Sequence, residues 1–287
     1  MKQVSYSQYS QYTSCPWKWK LNYIDRLREF KGNVHTIFGS AMHDVLQTYL
    51  TVMYNDTIKM ADALPLDEML LYRMKQYYIE VMENNGGEVI CEQVEMEEFY
   101  VHGLAILEWF KKKRGAYFNK RGYELVGIEV PIQYELDGGI TFIGFMDVVL
   151  KDTVRDRYKI IDIKTSTMGW NKYMKSDKNK TDQLLLYKQF YSKQNDIPMD
   201  KIDIEYFIVK RKLYENVDFP QRRIQTFIPA NGTPSINKVL TQLKSFIDEG
   251  FDNGEYNIKH DYIKNPSKKN CRFCEFNQTE YCDAGVK

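Results

Sequence analysis

The stretch "YKIIDIKTS" (158–166) has the β-branched run of a buried strand, yet it carries Asp162 and Lys164 two positions apart near its middle. Successive side chains along a strand point to opposite faces, so Asp162 and Lys164 share one face while Ile161 and Ile163 share the other. An isolated Asp-x-Lys pair on a strand is ordinarily a surface ion pair of small energetic weight. The strands around it decide whether this pair is more than that.

Upstream, "YELVGIEVPIQYEL" (123–136) and "ITFIGFMDVVL" (140–150) flank Asp137-Gly138-Gly139, a strong hairpin signal, and "KDTVRDR" (151–157) turns the chain back into 158–166. Paired positions in an antiparallel hairpin sum to about twice the turn centre. Turns near 138 and 154–155 therefore set Glu129 opposite Asp147, and Asp147 opposite Asp162. Three carboxylates then line up across three adjacent strands, with Lys164 beside the last. Opposed side chains lie roughly 4.5–5.5 Å apart at Cβ, where like charges repel unless something positive stands between them. A hard divalent cation such as Mg2+ or Mn2+ takes oxygen ligands of this kind, and it would polarise a phosphoryl oxygen and activate a bound water. Lys164 would orient that nucleophile or help deprotonate it.

Around these strands the periodicity is helical. "SQYSQYTSCPWKWKLNYI" reads as a short helix, a Cys-Pro break and a second helix, with its aromatic residues (Tyr6, Tyr9, Tyr12, Trp17, Trp19) spaced for core packing. "FGSAMHDVLQTYLTVMY" (38–54) is an amphipathic helix with Met42, Leu46, Tyr49, Leu50 and Met53 on one face, and helix dominates to about residue 120. After the 158–166 strand come a loop to about 180, the helix "TDQLLLYKQFYSK", strands "DIEYFIVKRKL" and "RRIQTFI", the helix "INKVLTQLKSFIDE" and a cysteine-rich tail. This order predicts an α/β fold with a central mixed sheet flanked by helices, in one domain over 1–287 with a helical insertion at 55–121.

The chain has 287 residues, 43% hydrophobic and 14% aromatic, enough for a substantial core. With 40 basic and 39 acidic residues its net charge is +1, so any nucleic-acid surface must be a local patch; "KKKR" (111–114) and "WNKYMKSDKNK" (170–180) are candidates. There is no signal-like leader and no apolar run of membrane-spanning length. The expectation is a soluble cytoplasmic protein, in the host cytoplasm for a viral chain, with no membrane partner.

"GFMD" (144–147) followed by "DIK" (162–164) resembles the signature of the PD-(D/E)XK nuclease superfamily. "GSAMHDVL" (39–46) is similar to the Gly-x-x-x-His-x-x-Leu helix of its RecB-like exonuclease branch, "QLLLY" (183–187) to that branch's Gln-x-x-x-Tyr helix, and Glu129 to a Glu on the preceding strand. The resemblance runs in order from Ser5 to Cys282. It implies a restriction-endonuclease-like core in which His43, Asp147, Asp162 and the Ile163 carbonyl bind Mg2+ or Mn2+ and Lys164 is catalytic. Gln183 and Tyr187, on one helix face, would approach the DNA backbone or support the site. Gln47 departs from the pattern, since the branch often has Glu there.

Five cysteines, without a leader, argue against a disulfide framework. "CRFCEFNQTEYC" supplies Cys271, Cys274 and Cys282, and Cys15 can complete a four-thiolate set. On coordination chemistry such a set holds structural Zn2+ or an iron-sulfur cluster equally well. The resemblance to iron-sulfur exonucleases of recombination complexes and CRISPR systems implies a [4Fe-4S] cluster stapling segments 1–30 and 265–287. Cys91 matches nothing.

The leading expectation is thus a metal-dependent DNA exonuclease, with possible endonuclease activity, acting on DNA that is single-stranded or offers free ends in recombination, repair or phage or CRISPR DNA processing. No Gly-rich phosphate loop ending in Lys-Ser or Lys-Thr is present, which implies a helicase or a recombination or replication partner for long duplexes. The alternatives are an inactive nucleic-acid-binding module of the same fold and an iron-sulfur electron carrier.

Overall fold

The structure, a computed structural model, describes residues 2–27 and 32–286. The outermost positions of the two cysteine-bearing ends expected from the sequence (1, 28–30 and 287) lie outside the described residues. The chain opens with strand β1 (Lys2–Ser5), helix α1 (Tyr6–Ser14) and helix α2 (Pro16–Tyr23), whose first position is a proline, where the missing N–H costs nothing. Asn33 caps α3 (Val34–Asn55) with a reciprocal capping box to Thr36. The helical insertion follows as α4 (Ile58–Asp62), α5 (Leu66–Asn84) and α6 (Gln93–Lys113).

Strands β2 (Tyr123–Leu136) and β3 (Ile140–Asp152) pair antiparallel across the Asp137–Gly139 turn, where Gly138 and Gly139 both adopt positive φ. Strand β4 (Arg157–Ser166), short helix α7 (Lys172–Ser176), helix α8 (Lys178–Gln194) and strand β5 (Ile202–Lys210) then form a crossover that leaves β4 and β5 parallel. Edge strand β6 (Ile224–Phe227) pairs antiparallel with β5. Helix α9 (Thr233–Gly250), a small hairpin of β7 (Phe251–Asp252) and β8 (Glu255–Tyr256), and α10 (Lys268–Cys271) complete the described chain.

The result is an α/β fold with a mixed central sheet flanked by helices. One face packs α1, α8 and α9 through residues such as Tyr9, Leu185 and Phe246, and the other packs α3, α5 and α6 through Met42, Leu70 and Phe110. Helix α8 is buried on most of its circumference, Leu184 to Tyr187 consecutively, because it lies between the sheet and the α1/α9 layer. Alternation places Ile161 and Ile163 in the α3-side core, as their shared parity requires. No helix among the described residues is long and apolar enough to cross a membrane.

The sheet contains an interruption. Strand β2 pairs with one side of β3 from Ile140 to Asp152, skipping Asp147. The other side is shared: β1 pairs with Ile140–Ile143 and β4 with Val148–Asp152. Between them, Gly144 to Asp147 have no strand partner on that side among the described residues. The ring of Tyr187, from α8, enters the interruption, and a methyl group built on Gly144 would lie 2.8 Å from it. Gly144→Ala should therefore cost about 1–3 kcal/mol through overpacking. The cost should shrink when Tyr187→Ala is introduced as well, and thermal denaturation of the four proteins of this double-mutant cycle measures the coupling.

Candidate active site

The last β3–β4 rung is Val148–Ile161, one position short of Asp147 and Asp162. From that point the strands separate, and the Asp147 carboxylate takes over as acceptor: its Oδ2 receives the Ile163 N–H at 2.6 Å. Asp162 is 2% exposed. Lys164 Nζ stands 2.8 Å from its Oδ2 and 3.1 Å from its Oδ1, and the Oδ1 contact is a hydrogen bond. Among the described residues the buried Oδ2 has the Lys164 ion pair but no hydrogen bond of good geometry.

Helix α3 reaches the same point from the opposite face. Gly39 lets it come close to β4, since an added methyl group would sit 3.2 Å from Thr165 Oγ1. One turn on, His43 Nδ1 lies 3.6 Å from Asp147 Oδ2. Another turn on, the buried Gln47 donates to Glu129 Oε1 at 2.5 Å and to the Asp147 carbonyl at 3.4 Å. A Glu at position 47 would set a carboxylate against Glu129; the amide supplies a donor instead. From α8, Gln183 Nε2 donates to Tyr187 Oη at 3.1 Å.

The sequence-derived register holds in level but not in kind. Flanking rungs Ile128–Val148 and Val130–Met146 put Glu129 at the level of Asp147. Glu129 itself has φ of 48°, the left-handed region, and is exposed. The three carboxylates are therefore not three directly opposed ladder residues. Asp147 and Asp162 form the buried pair, and Glu129 stands at the rim, held by Gln47.

Burial, with the neighbouring carboxylates adding to it, raises the Asp147 and Asp162 carboxyls to about 6. Burial lowers the His43 imidazole, and Lys164 nearby lowers it further. Burial opposes the Lys164 ammonium, but Asp162 and Asp147 outweigh that and raise it. Sequence reasoning missed Gln47 as the residue that positions Glu129. It also missed Asp44, next to His43, which accepts from Tyr77 Oη at 2.9 Å and pairs with Arg73 at 3.3 Å, tying α3 to α5. No periodicity signals either contact, because each partner is remote in sequence.

Among the described residues no three His, Cys, Asp or Glu side chains form a ready metal group. A Mg2+ site does not need three: one or two carboxylates with retained waters and substrate oxygens suffice. The buried Asp162 carboxyl beside Asp147 is a donor set of that type.

All five cysteines are free. Cys15, at the α1–α2 junction, lines one cavity together with Cys271, Cys274 and Cys282. Burial pushes the Cys274 thiol up. Around the cavity the chain ends are tied directly: Trp17 Nε1 donates to the Tyr281 carbonyl at 3.0 Å, Lys18 pairs with Glu275 at 2.6 Å, and Asn270 Nδ2 donates to the Ser14 carbonyl at 2.8 Å. Cys91 lies elsewhere, in a hollow between α5 and α6.

Comparison with protein families matches the chain to the PD-(D/E)XK nuclease superfamily over residues 3–282. The chain belongs to that superfamily. A search of curated proteins gives no match. Among solved structures, one named "Putative exonuclease" from Eubacterium rectale is similar at 11% identity, covering 85% of this chain and 78% of its own, with a TM-score of 0.45.

In this member of the PD-(D/E)XK superfamily the acid pair makes metal-free stability depend on pH. The folded values lie above the about 3.9 of an unfolded Asp. The protonated pair therefore stabilises the fold below that value, and the contribution is lost as pH rises through about 6. Chemical denaturation in chelator at pH 4.5 and 7.5 should show wild type losing roughly 1–3 kcal/mol more than Asp162→Asn across that interval.

Proposed function

We propose that the protein is a divalent-metal-dependent deoxyribonuclease that hydrolyses phosphodiester bonds as an exonuclease, on DNA that is single-stranded or offers free ends. The observation that carries this reading is the buried pair of Asp147 and Asp162 carboxyls with the single Lys164 ammonium against them, in a chain of nuclease ancestry. One ammonium balances only one of two buried carboxylates, and a divalent cation supplies the remaining charge.

Asp147 and Asp162 would hold Mg2+ or Mn2+, with the Ile163 carbonyl and His43 as further donors. When bound, the ion polarises the scissile phosphoryl group and lowers the pKa of a water. Asp147 also fixes the Ile163 N–H and so holds the two strands at their separation. Lys164, kept as an ammonium by both carboxylates, donates toward the phosphate or orients the attacking water. Gln183 positions the Tyr187 hydroxyl over the interruption in the sheet, where a substrate backbone would pass. Recombination, repair, and phage or CRISPR DNA processing are the settings that fit, with a helicase or replication partner supplying unwound strands.

We propose that the four cysteines, which line one cavity without forming a ready metal group, would hold a [4Fe-4S] cluster of structural role, with Zn2+ as the other occupant their chemistry allows. When bound it would cross-link the chain ends.

Cleavage of end-labelled single- and double-stranded DNA with Mg2+ or Mn2+ tests the catalytic reading. Lys164→Ala should lower the rate about 10²–10⁴-fold while leaving DNA binding intact. Folded, metal-supplemented wild type that binds DNA and never cleaves it would replace this reading with the inactive binding module. For the cluster, anaerobically purified Cys15→Ala should lose its metal and its visible absorbance, and should melt roughly 5 °C or more below wild type. Full metal content and unchanged melting would remove the staple.

A further inference from the structure

A second surface lies on the far side of the sheet from α8. The end of α6, the loop 211–223 and edge strand β6 enclose two hollows that share Tyr117, Gln221 and Arg222 and so form one groove. Its walls carry the rings of Trp109, Tyr117, Tyr214 and Phe219 and the cations Lys113 and Arg222. Tyr214 and Phe219 are 60% and 58% exposed. Among the described residues neither Lys113 nor Arg222 is paired with a carboxylate. Glu205, an acid lining the groove, is engaged by Lys159 at 3.0 Å.

The loop is held in this shape. Gln221 bridges both backbone groups of Tyr214, accepting its N–H at 2.8 Å and donating to its carbonyl at 2.7 Å. Arg223 donates to the Arg211 carbonyl at 2.8 Å, and Lys210 N–H donates to the Arg223 carbonyl at 2.7 Å. A connection between β5 and β6 needs no such bracing, and holding two aromatic rings out in water has no folding benefit. Ordered exposed rings interleaved with unpaired cations are what a single strand of nucleic acid requires: stacking surfaces for bases and counter-charge for phosphates.

The groove also opens beside the catalytic strand. Lys164 pairs in register with Ile208, and Ser166 with Lys210, which lines the groove. At ~3.3 Å per residue Lys210 lies about 7 Å along the strands from the Lys164 level, while the groove occupies the sheet face opposite the Asp162 and Lys164 side chains. Arg211 and Lys212 N–H groups bond the Ser166 and Thr167 carbonyls, fixing the loop to the end of β4.

We infer that the groove formed by Trp109, Lys113, Tyr117, Tyr214, Phe219 and Arg222 binds single-stranded nucleic acid. The binding surface stands on its own residues; that the bound nucleic acid is also the enzyme's substrate rests on the nuclease reading above.

The test is fluorescence anisotropy in chelator, where cleavage does not intervene. The probe is a labelled oligo(dT) about 20 nucleotides long, longer than the roughly 4–16-nucleotide footprint of a single-strand-binding fold. Phe219→Ala and Tyr214→Ala should each weaken binding about 5- to 150-fold. Arg222→Gln should reduce the magnitude of the salt-dependence slope by about 0.7, one released phosphate counterion. Unchanged melting temperatures confirm that these exposed substitutions leave the fold intact. Wild-type affinity and salt slope in all three variants overturns the groove, as does equal loss on a blunt labelled duplex, which would mean a duplex surface. Cleavage by wild type with unchanged binding in the variants sinks the groove and leaves the nuclease reading standing. Weakened binding with no cleavage by wild type does the reverse.

Discussion

The Asp147 carboxylate accepts the Ile163 N–H at the place where β3 and β4 stop pairing through their backbones. A buried N–H must find an acceptor, and if a carbonyl of β3 supplied it the sheet would simply continue. With the acceptor on a side chain, the strands can part while the donor stays satisfied. The separation in turn places Asp162 against Asp147, with Lys164 as the ammonium at the pair, and leaves Gly144 to Asp147 open for Tyr187. One side-chain hydrogen bond thus sets the geometry to which Lys164, His43 and Tyr187 contribute.

That arrangement is braced from both faces of the sheet. Helix α3 approaches close enough at Gly39 to bring His43 and Gln47 to the carboxylates, and α8, buried on most sides, can present Tyr187 with little freedom. Both helices are positioned by large apolar cores rather than by contacts within the site. The site can therefore carry two carboxyls raised by burial without the fold giving way around them, since the apolar contacts that hold the helices do not depend on the acids' ionisation.

The three central strands were legible because Asp137-Gly138-Gly139 pins one turn and period-two alternation fixes the rest, and the register sum then placed Glu129, Asp147 and Asp162 at matching levels. The left-handed backbone of Glu129 was not legible, because Glu carries no local signal for it. Strand β1 escaped because four residues with one fully buried side chain, Val4, show no pattern, and its parallel partner lies on β3. The β7–β8 hairpin had a signal in Asn253-Gly254, both at positive φ. The groove had none, because α6, the 211–223 loop and β6 contribute residues that meet only in three dimensions.

The cysteine cavity and the active site are joined by β1. This strand occupies the side of β3 at Ile140–Ile143, so its end defines one limit of the interruption into which Tyr187 fits. It continues directly into α1, which ends at Cys15, and the cavity there is closed by the C-terminal segment through Trp17, Lys18 and Ser14. Four residues of parallel pairing hold an edge strand weakly on their own, so the placement of β1 depends on how firmly α1 is anchored behind it. A cross-link among Cys15, Cys271, Cys274 and Cys282 would restrain the chain where that anchoring is needed. Its influence on chemistry would then pass through the position of a strand end rather than through any bond to substrate.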